Sequence, residues 1–250
     1  MKIGLIGSSG VLGSEVKRHI SNAIDIHRNE NRRTVLDAKY DLIFICAPKG
    51  LKWYANKHPK EDLSEVKSLI TLISSLKAQK FILFSTIDAF ESYKVNDLDI
   101  TETDYGLNRK LLEDYILENN IGSVVRLGML LGNFIKKNLL VDIKTQNLNF
   151  LKNSNSMFQF SNLFDFDKLI HKILKNDFNS YNYFSVPISI NEIEKSLKVM
   201  FPELIFHIPE KPIITYQNSI FCQNKVLNNF NQKYNDKELC IRKIKIFMGL

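Results

Sequence analysis

The apolar and polar positions of the chain change rhythm early. Residues 2–6, Lys-Ile-Gly-Leu-Ile, form a short apolar run that stops at Gly7. After the glycines, Val11, Leu12, Val16 and Ile20 fall near a helical repeat, which predicts an amphipathic helix. Residues 23–27 predict a second strand. Residues 40–48, 80–86 and 122–128 are near-continuous apolar runs, as in parallel strands buried on both faces. Residues 61–76 and 104–119 between them have helical periodicity. Strands alternating with helices predict an α/β fold with a parallel sheet wound on both faces.

Further along, residues 164–175 read as a helix with Leu169, Ile170, Ile173 and Leu174 toward a core and His171 outward. Residues 181–188 read as another strand. Ser189 and Glu192 stand at capping-box spacing before a further helix. Beyond about residue 200 there are short apolar runs with no recognisable chemistry. The expected division is a dinucleotide-binding domain over 1–190, with 131–160 contributing substrate-side loops. A small C-terminal lobe over 191–250, not independently folded, would face the substrate. That lobe is short, and a second copy in a homodimer could complete it.

The first strand and helix are joined by Gly7-Ser-Ser-Gly-Val-Leu-Gly13. Strand, glycine loop, helix is the setting in which such a motif holds a dinucleotide. Gly7 permits the tight turn, Gly10 lets a pyrophosphate approach the backbone, and Gly13 packs the helix against the strand. The N–H groups around Ser9, Gly10, Val11 and Leu12 would face the anion. The bland alternative is a glycine-rich turn without a ligand. This arrangement makes the predicted sheet a Rossmann-type sheet. At the end of its second strand, an NAD-preferring site would carry an acid on the ribose. Here stands Arg28, with Arg32 and Arg33 close behind, so NADP(H) is favoured over NAD(H). A solvated basic loop is the other reading.

Ligands of such sheets sit at the carboxyl ends of the strands. Ala47, Pro48, Ser85, Thr86, Gly128 and Met129 fall there. Taken with Ile-Cys-Ala-Pro (45–48), Phe-Ser-Thr-Ile-Asp-Ala-Phe (84–90) and Tyr-Gly-Leu-Asn-Arg (105–109), the chain resembles the extended or atypical short-chain dehydrogenases/reductases. It looks most similar to their sugar-nucleotide branch of reductases and epimerases in bacterial surface polysaccharide synthesis. The ordered motifs cover about residues 1–145.

The resemblance implies roles residue by residue. Tyr105 takes the place of the catalytic tyrosine, and Thr86, four before Phe90, that of the hydroxyl residue. Arg109 takes the place of the usual lysine. Gly7, Ser9, Gly10, Val11, Leu12, Gly13, Arg28, Ala47, Pro48, Ser85 and Gly128 are expected on the cofactor. Asp88, Lys136, Lys137 and Asn138 are expected on the substrate, a nucleotide sugar.

A ketone gaining hydride at carbon needs a proton at oxygen. A free phenol titrates near about 10, and a nearby cation lowers that value. Positions 105 and 109 share a helix face, whereas Lys110 lies about 100° further round. Arginine supplies charge and can grip ribose hydroxyls, but it cannot relay a proton. The alternatives are a site that binds cofactor without turnover, or a surface Tyr–Arg pair on a helix packed through Leu107, Leu111 and Leu112. Ser85 and Thr86 could simply bond local backbone. Asp88 could cap a turn, and Lys136 and Lys137 could be the solvated end of a helix. Trp53 reads as packing more readily than as a stacking platform.

Composition adds less. The 250 residues and 44% hydrophobic content suit a domain with a buried core. The formal charge of +7 favours anionic partners but is spread along the chain among acids, which argues against nucleic acid. Cys46, Cys222 and Cys240 have no metal-ligand spacing, and three cysteines do not make a disulfide framework. No metal is expected. The start of the chain does not read as a signal peptide, and no apolar run reaches a membrane span, so a cytoplasmic protein is expected. The function expected is an NAD(P)-dependent sugar-nucleotide ketoreductase or epimerase. A non-catalytic NAD(P)-binding sensor of the same fold is the alternative.

Overall fold

The protein is described by a computed structural model. It describes every residue except 28, 31, 90–93, 96–97, 100–102, 146–156, 200–201, 203–235 and 250. Arg28, Phe90 and Cys222 therefore lie outside the described residues, as does most of the C-terminal apolar stretch.

The chain divides into two units. The first comprises Met1–Arg126 and Phe166–Asn182, the second Leu127–Asp165 and Tyr183–Leu250. The stretch 1–190 expected as the nucleotide domain thus contains residues of both units.

The first unit is built on six strands: β1 (Ile3–Ile6), β2 (Ile24–Ile26), β3 (Leu42–Ile45), β4 (Phe81–Thr86), β5 (Gly122–Leu127) and β6 (Ser180–Tyr183). Their order is β6-β5-β4-β3-β1-β2. The pairings β1–β2, β1–β3 and β3–β4 are parallel. This is a Rossmann-like α/β fold, with the strand order reversing after β1.

Successive residues of a strand face opposite sides of the sheet. Ile43 and Ile45 join Ile6, Ile26, Leu83 and Val124 in one core, closed by α3 (Pro59–Ser75) and α4 (Asp104–Glu118). Those helices bring Val66, Leu69, Leu72, Ile73, Leu112 and Ile116. Each such side chain, fully buried, contributes roughly 1.5–3 kcal/mol. Phe44 faces the other way and stacks on Phe84, which meets Phe166 of α5 (Phe166–Lys175). His171 of α5 is exposed, as its helical position suggests.

The second unit has its own core of Leu131, Leu140, Ile143, Phe158, Phe160 and Ile193, with Cys240, Ile244 and Met248 from the helix Lys237–Met248. Ser189 and Glu192 form the expected capping box on the helix Ile190–Lys198. Among the described residues, no helix is long and apolar enough to cross a membrane.

Candidate active site

The loop between β1 and α1 (Val11–His19) uses its three glycines in three ways. Gly7 sits at φ 85°, and a Cβ there would lie 2.6 Å from the Cys46 carbonyl oxygen. A side chain would be strained by conformation and by contact alike. A Cβ at Gly13 would lie 2.1 Å from the Gly7 carbonyl oxygen, so the helix can touch the turn only through glycine. At Gly10 the nearest atom to a Cβ is the Gly7 oxygen at 3.5 Å, so this surface is open. Gly10 is the N-cap of α1, with no side-chain cap and no acid in the first turn. The leading N–H groups are thus left for an anion. A dinucleotide pyrophosphate fits this cradle.

At the end of β2, Arg32 is engaged. Its guanidinium donates to Glu30 at 2.8 Å and 2.7 Å and to the Asp25 carbonyl at 3.1 Å. The hydrogen bond from Arg32 chiefly holds the Glu30 carboxyl down at about 2. Asp25 itself pairs with Lys17. The basic end of β2 therefore also carries an acid, paired with Arg32, and Arg33 is exposed.

Ala47 and Pro48 follow β3, half-buried. At the end of β4, Ser85 is buried and its hydroxyl has no hydrogen-bond partner among the described residues. Thr86, next along, donates to Asp88 Oδ2 at 3.1 Å and accepts from the Asp88 backbone N–H at 3.2 Å. The turn expected here is present, with Asp88 in the 3-10 segment Ile87–Ala89.

Tyr105 is carried to this place by the start of α4. Thr103 caps the helix, accepting from the Gly106 N–H at 3.1 Å. Asn56, on α2 (Lys52–Lys57), accepts from the Tyr105 N–H at 3.0 Å. Gly106 lets the helix press against the β4 turn, since a Cβ there would lie 2.3 Å from the Asp88 carbonyl oxygen. Tyr105 and Arg109 are 7% and 4% exposed, so they are not a surface pair. Of the leucines expected to pack, Leu112 is buried but Leu107 and Leu111 are exposed.

The Arg109 guanidinium carbon lies 4.3 Å from the Tyr105 ring centre. Its fork, expected on a ribose, is held elsewhere. It donates to both Asp62 oxygens, at 2.8 and 2.9 Å, and to the Lys49 carbonyl at 2.9 Å. Asn108 also donates to Asp62, at 2.9 Å. Lys110 pairs with Asp114 along the helix, off this face as its position predicts. Burial pushes the Tyr105 phenol up; Arg109 pulls against that, Asp88 adds to it, and Lys52 and the Thr86 hydroxyl oppose it. Lys52, the first residue of α2, reaches Asp88 Oδ1 at 2.5 Å.

The first unit therefore gathers Thr86, Asp88, Tyr105 and Arg109 into one cluster and adds Lys52, Asn56 and Asp62. Those three come from the stretch Lys52-Trp-Tyr-Ala-Asn-Lys-His-Pro-Lys-Glu-Asp62. Two acids in the first turn after Pro59 were the only hint, and they mark a helix start rather than a partner. Trp53, expected to pack, is 57% exposed and meets Tyr54 edge-on.

Gly128, Lys136, Lys137 and Asn138 belong to the second unit. The Gly128 N–H donates to Ser161 at 2.8 Å, and a Cβ there would lie 2.4 Å from the Gln159 carbonyl oxygen. Lys136 and Lys137 are exposed. Asn138 caps the helix Leu139–Lys144, accepting from the Val141 N–H at 2.9 Å and donating to the Leu130 carbonyl at 2.8 Å. No group of residues suited to a metal ion occurs among the described residues.

No protein-family model and no curated protein matches the chain. Solved structures do. A UDP-glucose 4-epimerase from Thermotoga maritima is 15% identical, with a TM-score of 0.71 over 100% of this chain and 98% of that one. An L-threonine dehydrogenase from Phytophthora infestans is also 15% identical, with a TM-score of 0.72 over 100% and 98%. A hypothetical dTDP-4-dehydrorhamnose reductase from Sulfolobus tokodaii is 16% identical, with a TM-score of 0.68 over 96% and 99%. They establish the class of fold, one shared by proteins named for sugar nucleotides and for an amino acid.

Proposed function

We propose that the chain is an NAD(P)-dependent oxidoreductase or epimerase of the short-chain dehydrogenase/reductase type, acting on a nucleotide sugar. The observation that carries this reading is the Tyr105 phenol, buried against an arginine and a threonine in the unit that holds the glycine cradle. The nucleotide-sugar half leans on the residue resemblance and on neighbours named for UDP-glucose and dTDP-4-dehydrorhamnose.

In this reading the loop Gly7–Gly13 holds the pyrophosphate, with Ala47, Pro48 and Ser85 beside the cofactor. When bound, the nicotinamide supplies or accepts the hydride. Tyr105 gives a proton to the carbonyl oxygen in reduction and removes it in oxidation. Thr86 orients that oxygen. Arg109 remains charged and stabilises tyrosinate, which offsets part of the cost of burying the phenol. Because its fork is on Asp62, its part is electrostatic rather than a grip on ribose. Asp88 is engaged by Lys52 and Thr86, so a sugar hydroxyl would have to share it. Lys136 and Lys137 offer two charges for a diphosphate.

NADP(H) remains the favoured cofactor on Arg28 and Arg33, although Glu30 neutralises Arg32 and would oppose a 2′-phosphate. We place the protein in the cytoplasm, in bacterial surface polysaccharide synthesis, as a homodimer without nucleic-acid or membrane partners.

The test is turnover of keto-sugar nucleotides with NADPH and NADH in parallel. Tyr105→Phe is expected to lower kcat by at least about 100-fold, since a positioned proton donor contributes roughly 10²–10⁴-fold. Cofactor affinity should stay within about twofold. A Phe variant that turns over normally would refute the assignment. If cofactor binds but no sugar nucleotide is turned over, the sensor reading is favoured.

A further inference from the structure

The phenol's neighbours include a charge pair that the reading above leaves without a task. Lys52 and Asp88 are largely buried, with side chains 19% and 17% exposed, and their charged atoms are 2.5 Å apart. The Asp88 carboxylate takes the Thr86 hydroxyl hydrogen on its other oxygen. The charged groups facing Tyr105 are Arg109 from its own helix, Lys52 from α2, and Asp88 from the turn after β4. Asp62 of α3 stands behind Arg109 and occupies its fork.

We propose that Lys52 and Asp88 act together as a positioning pair for the Thr86–Tyr105 site, and that Lys52 makes up for the charge Arg109 shares with Asp62. This rests on the oxidoreductase reading and adds residues outside the tyrosine motif to it. Asp88 has a reason to be there: it accepts the Thr86 hydroxyl hydrogen while the site is empty and so sets that side chain's rotamer, from which the hydrogen can turn to the phenolate or to a carbonyl oxygen. The cost is an anion beside a phenol that must ionise in the oxidation direction. An ammonium on the far oxygen of the same carboxylate cancels that field without competing for Thr86. Arg109 cannot do both tasks, because its two terminal nitrogens are committed to Asp62 and the Lys49 carbonyl. Lys52 begins the helix after β3 and is far from Tyr105 in sequence, so no motif spacing reveals it.

The arrangement predicts a sign pattern. Lys52→Met leaves the Asp88 charge uncompensated, which raises the Tyr105 titration midpoint by about one pH unit and cuts the tyrosinate fraction about tenfold at fixed pH. Lys52→Arg keeps the midpoint. Lys52→Met with Asp88→Asn returns it to near the starting value, because anion and cation leave together. Asparagine keeps an acceptor for the Thr86 hydrogen and alanine does not, so in Lys52→Met with Asp88→Ala kcat stays low while KM is unchanged.

The measurement is an ultraviolet difference titration of the full chain, each protein minus its Tyr105→Phe counterpart. Fluorotyrosine in place of tyrosine brings the transition to a lower pH. No substrate is required. A midpoint that does not move in Lys52→Met, or that fails to return in the double variant, overturns the pair. Lys52→Met and the double variant are compared by circular dichroism, and an unfolded Lys52→Met protein beside a folded double variant supports the same compensation. If the midpoints move as expected while the wild type turns over no keto-sugar nucleotide, the charge pair stands and the substrate reading falls.

Discussion

Asp62→Ala is expected to destabilise the protein by about 3–5 kcal/mol, the usual result of removing one partner from a buried ion pair. Asp62 is 7% exposed and Arg109 is 4% exposed. Two bonds from the guanidinium and one from Asn108 end on this carboxylate. Alanine would leave a buried cation with only the Lys49 carbonyl and an aromatic face. In a chain of this size the loss corresponds to a fall in Tm of roughly 10 °C, seen by thermal melting. Asp62→Asn should cost less, because it keeps an acceptor. Asp62→Ala combined with Arg109→Met should recover most of the loss, since an apolar pair can replace a buried ion pair at little cost. That double variant should still lack activity, because the phenol has lost the Arg109 cation beside its ring. A single variant that melts at the wild-type temperature would mean that the pair is not buried as described.

The parts of this molecule that could be read from the sequence are those set by neighbours along the chain. β1, the glycine loop and α1 follow from local periodicity and from what glycine alone permits. The continuous apolar runs of β3, β4 and β5 follow from burial on both faces of a parallel sheet. Tyr105 and Arg109 share a face because helix geometry requires it. What could not be read is where their charges go. Asp62 meets Arg109 across 47 positions, and Lys52 meets Asp88 across 36. Pairings of that kind are set by how α3 packs on α4 and how α2 meets the turn after β4, which periodicity does not encode. The same limit applies to Asn138. It is expected on the substrate, and its side chain caps the start of the next helix. The break at Leu127 was also hidden, because the strand Met129–Leu131 carries the same apolar pattern as the sheet before it and pairs instead with Phe160–Asn162. Glu30 is the opposite case: the three arginines near it suggest a basic end to β2, and this acid takes up the charge of Arg32.

Gly13→Ala is expected to weaken dinucleotide binding about 10- to 100-fold, as forced overpacking of roughly 1–3 kcal/mol at the binding loop would. The new methyl would lie 2.1 Å from the Gly7 oxygen and 2.7 Å from the Ser8 Cα. Both are backbone atoms, so no rotamer change relieves the contact. The loop must open, and the N–H groups that face the anion move with it. Gly10→Ala separates fold from function at the same loop. Its methyl would meet only the Gly7 oxygen, at 3.5 Å, an ordinary contact. Stability should therefore hold, while the methyl occupies the surface where the pyrophosphate approaches. Titration of NADPH and NADH fluorescence against each variant, with melting curves alongside, should give loss of affinity and stability for Gly13→Ala and loss of affinity alone for Gly10→Ala. If both variants bind cofactor as the wild type does, the loop is a turn and not a phosphate cradle. The roles given to Tyr105, Thr86 and Arg109 would then have no hydride donor beside them.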